Sequence, residues 1–485
     1  MRPKLEILSK EQVQRVNEEA YSLLSKVGVK VQSPEARHLL SDSGASVDRN
    51  GETVKIPAPV IEKALKSAPS SFQLYTRQGS SAIQYGGDQV HFDPGSSGVH
   101  ILDPETLEHR PSITADLVKI IKVTEMLPQY DAQSTAVVCN DVPTTIGDLY
   151  RLCLVLLLSE KPVVTGSFSI IGLDIMIEML ALFAGGQKQS AQRPRAVFDV
   201  CPTPPLIWSE FASQNLIKLA RAGIPAEMVS MPLAGAASPV TLLGSITQHA
   251  AESLAGIVMH QAVQPGAPIV WGGAPAIFDM RKGATPFGAI ETAMINTACA
   301  QVGKSFNLPT HGYLGASDAK VVDAQSGLES STTSMLGALA GINMISGAGM
   351  LDFLACQSPE KLVLDAEAIS GAKRLLEGIS DIDGDLLSSF YEGFEFKGDF
   401  LKQRITRDLF KKEQYLPSEV IDRDSLRGWQ EAGKQDAWQR AKTHTQKLVE
   451  EYSPPDLDPR LKTELVKLVS KHAKQAGMDH LPEVF

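Results

Sequence analysis

The sequence predicts an α/β fold: a (β/α)8 TIM barrel with an N-terminal α+β extension and a C-terminal helical tail. Three observations predict it. From residue 114 onward, short β-branched or apolar runs alternate with longer runs of helical period, the pattern of βαβ units on a parallel sheet. Seven or eight such units fit within about 260 residues, close to the usual barrel length. No Gly-rich phosphate loop follows the first strand, which places a doubly wound open sheet second.

The elements follow in order. Residues 10–27, KEQVQRVNEEAYSLLSKV, carry apolar residues at helical spacing and stop before Gly28. Further helices are predicted at 34–43 and 59–69. SFQLYTR, SAIQYGG, QVHFDP and VHILDPETLEHRP then look like short strands joined by turns. These define an α+β segment over 1–110, with the catalytic barrel over 111–400 and the helical extension over 401–485. TADLVKIIKVTEM (114–126) reads as a helix with Thr114 as N-cap. The strands expected next are DAQSTAVV (131–138), PVVTGSF (162–168), RAVFDVC (195–201), PAEMVSM (225–231), PIVWGG (268–273), LPTHGY (308–313) and GINMISG (341–347), with helices between them. Two more helices are expected at about 359–378 and 382–393.

Composition narrows the function. The chain has 485 residues, 43% apolar and 21% charged, with a net charge of −10. That is a globular composition, and no Lys/Arg run marks a nucleic-acid footprint. MRPKLEILSKEQVQRV lacks the apolar core of a signal peptide. LCLVLLLS (152–159) and IIGLDIMIEMLALFAGG (170–186) are too short or carry acids, so no membrane span and a cytoplasmic location are expected. The five cysteines, at 139, 153, 201, 299 and 356, form no C-x-x-C, which argues against a disulfide framework, a thiolate zinc site or any other metal. G-x-S-x-G, H-E-x-x-H and P-loop motifs are absent.

In a barrel, the C-terminal strand ends face the site. Those positions hold Phe168, Phe198, Asp199, Met231, Trp271, Gly272, Gly273, His311, Tyr313, Gly347, Gly349, Asp352 and Phe353. Aromatic and small residues dominate, and paired carboxylates with an evident acid/base partner do not. Such a site points to a cofactor that the sequence does not announce.

Three blocks carry a family resemblance: HGYLGASDAKVVDAQSG (311–327), ALAGINMISGAGMLDF (338–353) and KLVLDAEAISGAKRLLEGI (361–379). With VNEEAYSLLSKVGVKVQSPEA and DPGSSGVHILD near the N-terminus, they resemble the trimethylamine:corrinoid methyltransferase family over residues 1–470. The resemblance implies a barrel that moves a methyl group from an amine to the Co(I) of a separate corrinoid protein. It implies no tightly bound cofactor in this chain; a homo-oligomer stays open. Founding members carry pyrrolysine, whereas this chain is written in the ordinary twenty residues, like the branch that uses quaternary amines such as glycine betaine. On that reading Phe168, Phe198, Trp271, Tyr313 and Phe353 cage the cation, and His311 donates to a betaine carboxylate. Gly272, Gly273, Ser317, Asp318, Gly347 and Gly349 form the corrinoid-facing rim, and Asp318 pairs with Lys320. No catalytic residue is assigned. Proline betaine or carnitine as substrate, a barrel that only binds quaternary amines, and a zinc-dependent methyltransferase for alcohols or thiols remain alternatives.

Overall fold

A computed structural model describes residues 2–48, 51–381, 387–392 and 400–483. Eight parallel strands organise it: β1 (His91–Pro94), β2 (Gln133–Ser134), β3 (Val163–Gly166), β4 (Ala196–Val200), β5 (Ala226–Ser230), β6 (Ile269–Gly273), β7 (His311–Tyr313) and β8 (Met344–Ala348). β2 to β6 pair in sequence order as one parallel sheet, and β7, β8 and β1 pair as another. A parallel bridge between Trp271 and Thr310 joins β6 to the start of β7. The amides of Asp131 and Ala132 donate to the Phe92 carbonyl at 2.8 and 3.5 Å, joining β1 to the approach to β2. The pairings therefore return to their starting strand, and the strands lie in chain order around a ring.

A helix follows each strand before the next begins: α1 (Thr114–Met126), α2 (Gly147–Leu158), α3 (Ile170–Ala184), α4 (Glu210–Ala222), α5 (Leu242–Val263), α6 (Ile290–Ser305), α7 (Ala324–Leu339) and α8 (Pro359–Glu377). The fold is mixed α/β. Two-residue periodicity sorts the strand side chains between the ring interior and the helical layer. Ala132, Val164, Val197, Val270 and Met344 form a buried layer inside. The antiparallel hairpin Ser71–Tyr75/Ser81–Gly86 adds Leu74, Ile83 and Tyr85 to that layer. It closes the N-terminal end of the ring, so the interior polar residues gather toward the C-terminal end.

Three details differ from the sequence reading. β1 lies inside the 1–110 segment but pairs with β8, because His91–Pro94 supplies the ring strand that the 131–347 series lacked. Thr114 is the first helical residue and Ile113 is the cap position; Asp116 accepts the Ile113 amide at 2.9 Å, while Asp141 takes the Thr114 amide and hydroxyl. Of the helix expected at 382–393, residues 382–386 and 393 lie outside the described residues, and Ser388–Tyr391 form a 3-10 turn.

Helices Lys10–Lys26, Pro34–Asp42 and Ala58–Ser67 pack on α5. The first is stopped at its N-terminus by Ser9, which caps the Gln12 amide. In the tail, helix Ala437–Glu451 packs on α1 and α8, and helix Pro459–Gln475 on α2 and α3. Between them the Tyr452 hydroxyl donates to the Leu158 carbonyl at 2.6 Å, at the end of α2. Among the described residues, no helix is long and apolar enough to cross a membrane.

Candidate active site

Above the apolar layer, the inward positions become polar. β1 contributes Asp93, β4 Asp199, β5 Glu227, β7 His311 and Tyr313, and β8 Ser346. All are buried except Asp199, which is partly exposed as a residue although its Oδ1 is buried. Ser346 Oγ donates to Asp93 Oδ1 at 2.5 Å and lies 3.0 Å from His311 Nε2. With its proton committed to Asp93, Ser346 accepts from His311, which fixes the proton of the imidazole on Nε2. The bare Nδ1 then faces Glu227 Oε1 at 2.9 Å, in a contact not aligned as a hydrogen bond. Tyr313 stacks edge-on against His311, with its hydroxyl 2.9 Å from Ser96 Oγ and 3.3 Å from Asp199 Oδ2.

Burial disfavours charge on both partners. Burial pushes Glu227 up to about 8 and pushes His311 down to about 4. Asp93 and Asp199 are held well above the usual carboxylate range, first by burial and then by repulsion from Glu227. Among the described residues, no lysine or arginine forms an ion pair with Asp93, Asp199 or Glu227, and no group of three His, Cys, Asp or Glu is arranged to hold a metal ion. Asp93 Oδ2, Asp199 Oδ1 and both Glu227 oxygens lack a hydrogen-bond partner. Buried carboxyls in this state await a cation or a hydrogen-bonding ligand.

The sequence profile of the trimethylamine methyltransferase family matches residues 1–477. The chain belongs to that family. It is therefore a methyltransferase. It is 32% identical over 470 residues to the trimethylamine methyltransferase of Desulfitobacterium hafniense strain DSM 10664 / DCB-2, covering 97% of this chain and 94% of the relative. It is 28% identical over 478 residues to the glycine betaine methyltransferase of Desulfitobacterium hafniense strain Y51, covering 98% of each. In structure it resembles the monomethylamine methyltransferase of Methanosarcina barkeri, with a TM-score of 0.53, 11% identity, and coverage of 93% and 90% of the two chains. At that identity the likeness concerns the fold alone.

In this trimethylamine methyltransferase family member the expected cage is divided. His311 and Tyr313 lie in the ring interior. Phe168, on the loop after β3, is 47% exposed and lies over the Arg151 guanidinium at 4.4 Å. Phe353, in the turn after β8, stands 3.8 Å from Lys320 Nζ. Phe198 and Trp271 are corrections: both point away from the interior. With Val197 and Asp199 inward, period two sends Phe198 outward, and the same alternation in β6 sends Trp271 into the helical layer. There Trp271 Nε1 donates to the Cys299 carbonyl at 2.9 Å, and the ring packs on Phe306 and His249.

The predicted rim is largely structural. Gly272 faces inward, where a Cβ would approach the Met228 carbonyl at 2.7 Å and His311 Nδ1 at 2.9 Å. Gly273 faces His249 on the outer side. Gly347 and Gly349 have φ of 152° and 79°, and a Cβ on them would strike the Leu314 carbonyl and Gln357 respectively. Ser317 donates to Glu329 at 2.6 Å, and Asp318 accepts the Phe287 and Gly288 amides at 2.8 and 3.0 Å. The expected Asp318–Lys320 side-chain pair does not form. Lys320 donates to the Asp318 backbone carbonyl and pairs with Asp352 at 3.1 Å.

Sequence reasoning missed Asp93, Glu227 and Ser346, and did not read Asp199 as part of an acid cluster. The usable signal was a single carboxylate within each apolar strand run, HFDP, AVFDV and AEMVS. Reading it needs the inward phase of each strand, since one strand alone shows one acid and no partner.

Proposed function

We propose that the ring is a closed (β/α)8 barrel whose acid cluster receives a quaternary ammonium, glycine betaine first, and presents one N-methyl group to the Co(I) of a separate corrinoid protein. The observation that carries the reading is the group of buried and half-buried carboxyls Asp93, Asp199 and Glu227, with no cationic side chain paired to them among the described residues. A fixed positive charge among them relieves both their repulsion and the cost of ionising them. Tyr313, beside Asp199, adds an aromatic face worth about 0.5–2 kcal/mol to a cation. The site lies at the C-terminal strand ends, where barrel enzymes react.

The reaction needs little acid/base help. The C–N bond breaks with its electron pair kept by nitrogen, so the quaternary ammonium leaves as a neutral tertiary amine and the methyl passes to the nucleophilic Co(I). This chain's part is to hold the nitrogen, aim the methyl outward and exclude water, a gain of orientation. The loops after β3, β5 and β6 carry the exposed apolar residues Phe168, Met231, Val240 and Met280, which fit a rim that receives a partner protein.

A betaine carboxylate needs its own donor. His311 does not serve, since its Nε2 proton is given to Ser346 and its bare Nδ1 has none to donate. Arg151 does: it is buried, has no carboxylate ion pair among the described residues, and leaves Nη2 without a hydrogen bond. Its Nη1 is 3.3 Å from Ser97 Oγ, and the adjacent Ser96 meets Tyr313. Phe168 is the half-exposed lid over it.

The test mixes the chain with its cognate corrinoid protein reduced to Co(I) and adds glycine betaine, proline betaine, carnitine or trimethylamine in turn. The expected result is the absorbance of methyl-Co(III) with a betaine. No methylation from any quaternary amine overturns the reading. Arg151→Gln is expected to raise KM for glycine betaine about tenfold, the effect of one lost charge-assisted hydrogen bond, while tetramethylammonium turnover stays unchanged. An equal loss on both substrates removes Arg151 from carboxylate recognition.

A further inference from the structure

A cavity lies at the end of the ring opposite the acid cluster. It is a cleft of about 420 Å³ between the hairpin Ser71–Tyr75/Ser81–Gly86, α3 and the short helix Gln187–Gln192. The Tyr75 amide donates to the Pro194 carbonyl and the Arg77 amide to the Glu160 carbonyl, both positions just before ring strands begin. The cleft thus sits at the N-terminal strand ends, away from the acid cluster. Arg77, Arg193 and Arg195 wall it, and no aspartate or glutamate does. For a chain of net charge −10, that is a marked local reversal.

Part of this basicity has a structural role. Arg77 donates through Nη1 and Nη2 to the carbonyls of Leu156, Leu157, Ser159, Pro455 and Asp456. Its Nε is 3.6 Å from Glu160, the nearest carboxylate. Arg195 donates Nη2 to the Ser159 and Lys161 carbonyls. Two donor groups are left over. Among the described residues, Arg195 Nε and Nη1 are buried without a hydrogen bond. Both guanidiniums lie over the Phe183 ring, at 4.7 and 5.8 Å. Arg193 is exposed at the cleft mouth. Clustered arginines, of which Arg195 keeps two donors without acceptors, beside a cleft that no acid lines, suit an anion.

We propose that this cleft binds a small phosphate-bearing anion. Two negative charges on one phosphoryl group match clustered guanidiniums better than one carboxylate does, and its oxygens suit the guanidinium fork. The volume exceeds what bare phosphate fills, leaving room for an organic part beside Phe183 and Tyr75. Arg195 immediately precedes β4, the strand that carries Asp199 into the acid cluster.

The experiment measures binding to the full chain by calorimetry and by the shift in Tm, with inorganic phosphate, adenosine monophosphate and citrate as probes. Adenosine monophosphate and phosphate are expected to bind saturably at millimolar concentration and to compete with each other, with citrate weaker. Arg193→Glu is expected to weaken both phosphate probes at least about tenfold, with an unchanged Tm in their absence and unchanged methyl transfer. Arg195→Lys, which keeps charge but loses the fork, should weaken them less. No saturable binding of either phosphate probe, equal binding by Arg193→Glu, or citrate binding as tightly overturns the proposal. Methyl transfer is read separately, so loss of this site leaves the reading of the catalytic end standing.

Discussion

Glu227 concentrates the account at the scale of one residue. Its carboxyl is raised to about 8 in the folded chain, from an ordinary value near 4.5. The folded state therefore holds its proton more tightly than the unfolded chain does. Its contribution to stability is fully present below the ordinary value and is lost as the pH rises through about 8. Glu227→Gln is expected to flatten the fall in stability over that window, measured as Tm against pH. An unchanged slope would show that Glu227 does not titrate in this range. Glutamine keeps the size and polarity of the side chain beside His311 while the site loses one ionisable group.

At the scale of elements, β6 shows what the sequence could and could not say. PIVWGG was legible as a strand, and its glycines as places of close approach. The destination of Trp271 was not legible, because the phase of a strand is set by its neighbours in the ring. Trp271→Ala is expected to cost about 3–5 kcal/mol in stability through a core cavity, seen by denaturant unfolding, with KM for the amine unchanged in the folded fraction. A raised KM at unchanged stability would restore Trp271 to the cage. Gly272→Ala should disturb activity as well as stability, since its Cβ would press on His311 and on the Met228 carbonyl; kcat measured beside Tm separates the two effects. Seven of the eight ring strands were read within a few residues of their positions, because β-branched runs between helical runs are a local signal. β1 was read too, in QVHFDP, but as a strand of the N-terminal segment rather than of the ring, because its partner β8 is about 250 residues away.

At the scale of the whole molecule, the two ends of the ring carry opposite chemistry. The C-terminal end holds carboxyls without paired cations, and the N-terminal end holds arginines around an acid-free cleft. The apolar layer and the hairpin between them separate the two polar regions. The family resemblance in the sequence anticipated a methyltransferase, and the family match bears it out. The acid cluster itself assembles from three distant strands, so no stretch of sequence displays it. On the proposed reading a quaternary ammonium sits among those carboxyls, and ionising them at neutral pH must then release a proton. The direct measurement is the calorimetric heat of glycine betaine binding at pH 7 in buffers of different ionisation enthalpy. Release of about one proton per site is expected, lost in Glu227→Gln. Binding with no proton release, or release unchanged in Glu227→Gln, would contradict it.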